Sequence, residues 1–421
     1  MDLKNFNIYY LIALIPPLLV TGPFLPDLVL VLIVIFFIFK KNNLILNYTK
    51  NIFFLKILIF FTFYNIIISI FSENVFISLK SSLGYIRFFI FICLFIYVFK
   101  NYNEIKKILF YILLGTIILV SIDAIFQFFF KFNLLGWPID SKGRISGLFG
   151  TEYILGSYLS RCIPIVMSLF FYLREKKTIN IEHKFLYLTF FVSYFAILIS
   201  GERTAFIMIN MFLFLYIFFI LNISFKKKVF SFTVVLSIVI SVIFFSKELN
   251  QRFVKLTLHN LGINSEDKSV NKLFSYDEND KIFFHQNIKH LIVAKEIFLE
   301  KPIFGNGNKM FGKICFDRYF VDDGRCSTHP HNFLAQILVE SGLIGGIIYL
   351  TIFFILLKDF IFSYFRNQNE DKPILIILVG CLISLFPLIP SGNFYNNWLS
   401  INIYLQLSLY VYYKFDLEKK I

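Results

Sequence analysis

Residues 108–130 read ILFYILLGTIILVSIDAIFQFFF, a run of 23 residues with a single charged side chain, Asp123. A helix of about 20 apolar residues spans the hydrocarbon core of a bilayer. Similar runs recur along the 421-residue chain, which is 57% hydrophobic and 20% aromatic but only 16% charged. This composition excludes soluble, disordered, collagen-like and coiled-coil folds, and it predicts an all-α polytopic membrane protein.

Polar breaks between the apolar runs predict about 12 transmembrane helices and one large, mostly helical outer loop. The first two runs are short and separated by Gly22 and Pro23, a pattern typical of either two crossings or one broken pair. The predicted organisation has three parts: helices 1–9 in 1–245, the outer loop in 246–331, and helices 10–12 with the C-terminus in 332–421. The predicted spans lie near 7–21, 26–39, 51–70, 82–99, 108–130, 153–173, 185–200, 204–222, 229–245, 332–357, 373–390 and 398–413.

Basic residues are distributed unevenly between alternate loops. One set of short segments holds 20 Lys and Arg residues, whereas the opposite short loops hold 5. Because cytoplasmic loops of membrane proteins are enriched in Lys and Arg, both termini are predicted to be cytoplasmic and the long loop to lie outside. These loops account for the net charge of +14. No RNA-binding motif and no basic stripe interleaved with aromatic residues is found, so membrane lipids are predicted as partners and nucleic acid is not.

Charged residues inside predicted spans indicate a polar cavity. Arg87 and Arg161 lie about 5 and 8 residues from the outer ends of their spans. A charge at membrane depth is costly and usually functional. Asp123 and Gln127, four residues apart on one helix, are expected to share a face of the same cavity. The alternative is that each of these groups simply pairs with a neighbouring helix.

Two further arginines lie at the predicted outer surface. Arg203 follows Gly201 and stands at the start of a helix, where a guanidinium can bind a phosphate bidentately beside the helix's positive end. The alternative is an interfacial anchor. Arg144 lies in the Gly-rich segment 143–150, GRISGLFG. Such a loop can present backbone N–H groups and an arginine to an anion.

The segment 327–346, STHPHNFLAQILVESGLIGG, ends the outer loop and opens a span. Asn332 is predicted to cap the helix, and His331 lies beside its positive end. That end disfavours imidazolium, so we expect His331 to be neutral near pH 7 and able to accept a proton from a hydroxyl group. Glu340 follows 9 residues later, about 180° around an ideal helix, and is expected to face away from His331.

The histidines of this region also allow a metal-binding interpretation around His329 and His331. Other histidines of the outer loop are His259, His285 and His290. The spacing matches no familiar site and no carboxylate-rich cluster accompanies it, so neither a metal nor a cofactor is predicted. No nucleotide, zinc-protease or dinucleotide motif is present.

Cysteines fall into two groups. Cys93, Cys162 and Cys381 lie in predicted spans and are interpreted as packing residues. Cys315 and Cys326 both lie in the outer loop, where a disulfide can persist, and pairing them would fix the segment that leads to the histidines. The sequence alone leaves this pairing open.

At these residues the chain resembles the O-antigen ligase and O-antigen polymerase family of bacterial envelope enzymes. Ligases of this family show His-Asn, nine residues, Gly, two residues and Gly at the end of a long periplasmic loop, and also an Arg followed four residues later by Leu. The matching positions are His331, Asn332, Gly342 and Gly345, and Arg203 with Ile207 in place of Leu. The resemblance covers about 140–205 and 295–350 and is architectural elsewhere.

The resemblance implies metal-independent glycosyl transfer at the periplasmic face of the inner membrane. The donor would be a glycan on undecaprenyl diphosphate. The acceptor would be a sugar of the lipid A core for a ligase, or another lipid-linked repeat unit for a polymerase; the His-Asn-Gly-Gly spacing favours a ligase. His331 and Arg203 are the predicted catalytic residues. The residues predicted to bind the diphosphate are Arg144, Arg161, Arg87 and Asn332.

A transporter of lipid-linked anions is the alternative from another functional class. Twelve predicted spans with buried arginines also suit such a protein. Transporters usually consist of two related halves with matching broken helices. No such internal symmetry is found, and a single outsized outer loop is atypical of them.

Overall fold

The structure is a computed structural model that describes residues 8–140, 143–255, 257–258, 286–319, 325–366 and 371–418. It is 80% helical and has no strand among the described residues. Seven described helices are long and apolar enough to cross a membrane, and three further apolar helices have 10–17 residues. The chain is thus an all-α, multi-pass membrane protein, as its composition predicts. The count of twelve spans and the three-part division of the chain stay predictions.

Short connections join most of the successive helices. Their bounds are α1 Ile8–Thr21, α2 Phe24–Asn51, α3 Phe53–Ile70, α4 Val75–Asn101, α5 Asn103–Phe130, α6 Leu155–Glu175, α7 His183–Ile199, α8 Arg203–Ile220, α9 Phe225–Phe245, α10 Gln286–Glu300, α11 Met310–Arg318, α12 Phe333–Arg366, α13 Lys372–Ser384 and α14 Asn397–Glu418. Short helical turns follow α9 at Lys247–Leu249 and Asn250–Lys255.

Helix α6 is the centre of the bundle. In the most apolar 18-residue stretch of α6, 94% of the residues are buried, whereas the corresponding share in α9 is 6%. The Phe and Ile side chains of α9 face outward, as expected for contact with lipid. Helices α6 and α13 approach closely at Gly380, because a Cβ at that position would lie 2.6 Å from Cβ of Pro164. The small residue therefore sets the distance between these two helices.

Several helices differ in length from their predicted spans, and α2 and α13 show why. Helix α2 continues past the apolar run 26–39 to Asn51, with a kink at Lys41. A predicted span ends where the sequence becomes polar. The helix itself continues, because most of the polar residues that follow are tolerated in helices. In contrast, α13 ends at Ser384, whereas the predicted span reaches 390. Pro387 explains the early end, because proline lacks an N–H group and disfavours helical conformation in the residue before it.

Helix α12 is kinked at Gly342, where φ is +64°. The loop that follows α10 inserts its backbone at this kink. The amide of Leu343 donates to the carbonyl of Pro302 at 2.8 Å, and the amide of Gly307 donates to the carbonyl of Glu340 at 2.8 Å. The inserted loop therefore provides partners for main-chain groups around the break in the helix.

Glycine is required on both sides of this contact. A Cβ at Gly342 would lie 2.2 Å from the carbonyl oxygen of Ile303, and a Cβ at Gly305 would lie 2.4 Å from the amide nitrogen of Gly342. Both glycines also have positive φ. The first Gly of the His-Asn-Gly-Gly motif thus allows the loop to reach the kinked helix.

The segment after α9 contains helix α10, and a turn follows Pro302. Cys315 of α11 and Cys326 form a disulfide in the structure. The bond joins α11 to the segment that leads into His329.

Candidate active site

A cavity of about 900 Å³ lies where the N-terminal ends of α6, α8 and α14 meet. Three of the predicted site residues, Arg144, Arg161 and His331, line it together. Helix N-termini carry partial positive charge, so three of them converging on one cavity favour an anionic ligand. The sequence predicted a polar cavity around Arg87, Arg161, Asp123 and Gln127, and of these four residues Arg161 lines this cavity.

Arg161 and Arg144 each retain an unused hydrogen-bond donor. Arg161 is only 4% exposed, and its Nη1 donates to the carbonyl and the hydroxyl of Ser157 at 3.1 and 2.6 Å. Arg144 lies over the ring of Tyr153, 4.4 Å from its centroid, and donates to the carbonyl of that residue. The Nε atoms of both arginines are buried without a partner among the described residues. Such donors are costly unless a ligand satisfies them.

Glu202 also lines the cavity, between the arginines and the start of α6. Its two carboxylate oxygens accept from the amides of Gly156 and Ser157 at 2.6 and 3.1 Å. Burial raises the pKa of Glu202 to about 7, although these hydrogen bonds and the charges of Arg144 and Arg161 act in the opposite direction. The carboxyl group therefore changes charge near neutral pH.

Arg252 adds a further guanidinium to this region. Its Nη2 donates to the carbonyl of Gly201 at 3.1 Å, and its buried Nε has no partner within the described ranges. Burial and the charges of Arg144 and Arg203 lower the pKa of Arg252 to about 10. Arg144, Arg161, Arg203 and Arg252 are hereafter called the arginine cluster. The concentration of positive charge around one carboxyl group suits a ligand with more than one negative charge.

The histidines stand side by side at the edge of the cavity. The ring centroids of His329 and His331 are 4.1 Å apart, and the ring of His290 lies 5.1 Å from that of His331. His331 has a φ of +55°, uncommon for a residue other than glycine, and its carbonyl accepts from the amide of Ser391 at 2.8 Å. Burial and the two neighbouring imidazoles lower the pKa of His329 to about 3. His329 is therefore neutral at physiological pH.

Asn332 caps α12 as predicted, since its Oδ1 accepts from the amide of Ala335 at 2.9 Å. Its amide group donates to the carbonyl of Pro387 at 2.8 Å and does not line the cavity. The sequence predicted that Asn332 binds the diphosphate. The structure places it where it fixes the loop carrying His331 against the segment after α13, and its contact with the diphosphate stays a prediction.

Arg87 and Arg203 lie outside the cavity lining. Nε of Arg87 pairs with Asp27 at 2.8 Å, which is the helix-pairing alternative that the sequence left open. Arg203 is half-buried at the start of α8 and contacts the hydroxyl of Thr257 at 3.4 Å. It belongs to the arginine cluster, whereas Arg87 does not.

Asp123 and Gln127 share a helix face, as expected, but they support a loop. Asp123 accepts from the amide of Leu134 at 2.9 Å, and Gln127 accepts from the amide of Gly147 at 2.7 Å. The Gly-rich segment 143–150 therefore does not direct the amide of Gly147 to a ligand. Its contribution to the cavity includes the side chain of Arg144.

The sequence did not identify Glu202 and Arg252 as site residues, nor His329 as a neutral neighbour of His331. No role is predicted for Glu202 from the sequence, and the two amides that donate to it lie 45 and 46 residues away along the chain. Arg252 contacts a carbonyl 51 residues away. The sequence alone reveals local features, such as an isolated charge in an apolar run, but not contacts between distant segments. The histidines His259 and His285 and the aspartates Asp322 and Asp323 lie outside the described residues.

Residues 188–350 match a family model described as O-antigen ligase. The matched stretch contains Arg203 and the segment from His331 to Gly345. The resemblance to the O-antigen ligase and polymerase family is thus confirmed. A comparison with curated proteins finds no match.

Proposed function

We propose that this protein is an O-antigen ligase-type glycosyltransferase. It moves a glycan from undecaprenyl diphosphate to a sugar of the lipid A core, at the periplasmic face of the bacterial inner membrane and without a metal ion. The family match over 188–350 supports the broader ligase or polymerase type of activity. The observation that carries the proposal is the single cavity lined by Arg144, Arg161 and His331.

The arginine cluster is the proposed site for the diphosphate. A guanidinium presents two parallel N–H donors to phosphate oxygens. The buried Nε donors of Arg144, Arg161 and Arg252 have no partner in the part of the chain that the structure describes. The positive ends of α6 and α8 add to this attraction. Arg203 lies close to Arg144 and is proposed to stabilise the charge that develops on the leaving diphosphate.

His331 is the proposed general base. The acceptor hydroxyl attacks the anomeric carbon of the donor sugar and transfers its proton to the imidazole of His331. The bond between that carbon and the diphosphate oxygen breaks, and its electron pair leaves with the diphosphate. Because His329 is neutral, it does not oppose the positive charge that His331 acquires. Direct displacement inverts the configuration at the anomeric carbon.

A transfer assay tests the proposal. Purified protein in nanodiscs receives undecaprenyl diphosphate-linked glycan, with and without rough lipopolysaccharide, in the presence of EDTA. Glycan on the lipopolysaccharide is the expected result, and NMR of the product reports the anomeric configuration. A retained configuration would contradict direct displacement. Lengthening of the donor glycan without lipopolysaccharide would instead identify a polymerase.

A matched pair of variants controls the assay. Arg161→Gln changes the cavity, whereas Arg174→Gln changes an arginine at the opposite end of the same helix, where it donates to the carbonyl of Ile181. Only the first variant is expected to weaken donor binding. Movement of native donor across the membrane of proteoliposomes, with no transfer in any arm of the assay, would favour a transporter and overturn the proposal.

A further inference from the structure

A second cavity, of about 560 Å³, lies at the opposite ends of helices α6 and α14. On α6, Tyr172 lines this cavity and Arg161 lines the candidate active site. The two residues are 11 positions apart, or about 16 Å at 1.5 Å per residue. On α14, Phe415 lines the second cavity and Trp398 lines the candidate active site. The second cavity therefore opens toward the other side of the bundle.

Lysines dominate the charge of this second cavity. The ionisable residues that line it, apart from tyrosines, are Lys100, Lys106, Lys107, Lys176, Glu104 and Asp416. The positive charge thus exceeds the negative charge by two. None of the described residues that line the cavity is a histidine or an arginine, so its chemistry differs from that of the candidate active site.

Lys106 is the central group of the cavity. The residue is only 6% exposed, and its Nζ donates to Oδ1 of Asn103 at 3.1 Å. It lies 5.4 and 5.2 Å from the ring centroids of Tyr172 and Tyr412, whose hydroxyl groups hydrogen-bond to each other at 2.9 Å. Among the described residues, Lys106 forms no ion pair.

The hydrogen-bond and aromatic partners of Lys106 are neutral, and Asp416, which lines the same cavity, is an acidic group with which it interacts. A buried ammonium is energetically unfavourable unless anions accompany it, and four lysines share this cavity with only two carboxyl groups among the described residues. The start of α5 strengthens this argument, because the helix begins at Asn103 and its N-cap residue, Tyr102, makes no side-chain hydrogen bond to the first turn. The amide groups of that turn add partial positive charge beside Lys106. A lysine binds phosphate as a point charge and needs no bidentate geometry.

We propose that this second cavity binds a phosphate group, carried either by the headgroup of an anionic phospholipid or by a soluble phosphate. Lys106 supplies the buried charge, and Lys107 and Lys176 supply charges at the rim. The cavity lies at the ends of α4, α5, α6 and α14, and the first three of these helices are long and apolar enough to cross a membrane. The ends of such helices are expected at the level of the lipid headgroups. Basic pockets between transmembrane helices are a known setting for acidic headgroups. The proposal is independent of the glycosyltransferase activity.

Thermal unfolding in nanodiscs tests this inference. The full-length protein is reconstituted in phosphatidylcholine with increasing phosphatidylglycerol, in phosphatidylcholine alone, and in phosphatidylcholine with inorganic phosphate. The variants are Lys106→Gln, Lys106→Met and the double variant K107Q/K176Q. The matched control is K226Q/K227Q, which removes two exposed lysines outside the cavity.

Phosphatidylglycerol is expected to raise the unfolding temperature of the wild type and the control. The Lys106 variants are expected to need about tenfold more phosphatidylglycerol for the same rise in unfolding temperature. Lys106→Met keeps the volume of the side chain, so it separates loss of charge from loss of packing. An effect of inorganic phosphate alone would assign the site to a soluble phosphate. An equal response in all variants, or no response to either phosphate source, would overturn the proposal.

Discussion

The two cavities at the ends of α6 and α14 both collect positive charge, but they use different side chains. The candidate active site contains arginines and histidines. Among the described residues, the Nε donors of Arg144 and Arg161 are unused and Nε2 of His329 has no hydrogen-bond partner. The second cavity contains lysines and tyrosines, with Lys106 enclosed by aromatic rings. An arginine orients an anion through fixed donors, whereas a lysine chiefly supplies charge. Positive charge alone therefore does not identify a catalytic site; a proton acceptor beside oriented donors does.

The largest effect is expected for His331→Ala. Loss of the proposed base lowers turnover by about 10²–10⁴-fold, while donor affinity changes little because the arginine cluster is intact. Single-turnover kinetics and donor-binding measurements separate the two quantities. His183→Ala is the control, because His183 packs against Phe170 away from both cavities. Equal losses of turnover and donor binding in His331→Ala would contradict the assignment.

Gly342→Ala tests whether the active site depends on the kink. The new Cβ would lie 2.2 Å from the carbonyl oxygen of Ile303, so unfolding free energy is expected to fall by about 3 kcal/mol. Donor binding should weaken, whereas the response to phosphatidylglycerol should persist in the protein that remains folded. Gly115→Ala is the control, since no atom of another described residue lies within 4 Å of a Cβ at that position, apart from its chain neighbours and its own helix backbone. Unchanged thermal unfolding of Gly342→Ala would contradict the contact described here.

Arg161 distinguishes oriented donors from charge. Arg161→Gln is expected to weaken donor binding by about 10–100-fold, in line with the loss of a charged hydrogen bond. Arg161→Lys keeps the charge but not the two parallel donors, so its affinity should lie between those of Gln and wild type. Isothermal titration calorimetry with the donor measures the three affinities and so gives their order. Full affinity in Arg161→Lys would show that the two cavities differ less than we propose.

The smallest effect concerns pH. Because the pKa of Glu202 is raised to about 7, its carboxyl group is mostly neutral at pH 6 and mostly charged at pH 8. The charged form competes with the diphosphate for Arg144 and Arg161, so donor affinity is expected to fall by about 2–5-fold over this range. Glu202→Gln should remove the pH dependence while keeping high affinity. A pH profile that is the same in both proteins would exclude Glu202 as its source.

Sequence patterns predicted the fold class because apolar runs are local features. They also found Arg144, Arg161 and His331, each of which stands out from its immediate neighbours. Glu202 and Arg252 escaped because their significance depends on contacts between distant segments. No local rule separates a buried arginine that lines a cavity from one that pairs with another helix.

The motif around Gly342 shows a similar limit. The sequence marked this glycine by its spacing from His331, but no spacing rule reveals that a loop from 302–307 meets it. Likewise, apolar character predicted a span to residue 390, whereas proline ends the helix earlier. Hydrophobicity reports where a chain is buried in the membrane and says less about where its backbone turns.

The contact between Gly305 and Gly342 has a consequence for how this sequence can diverge. In most packed pairs, enlarging one side chain can be compensated by shrinking the other. Here each Cβ would clash with main-chain atoms, which every amino acid possesses. No substitution at one position therefore relieves a substitution at the other. Among diverging descendants of this protein, the two positions are expected to stay glycine independently rather than to covary.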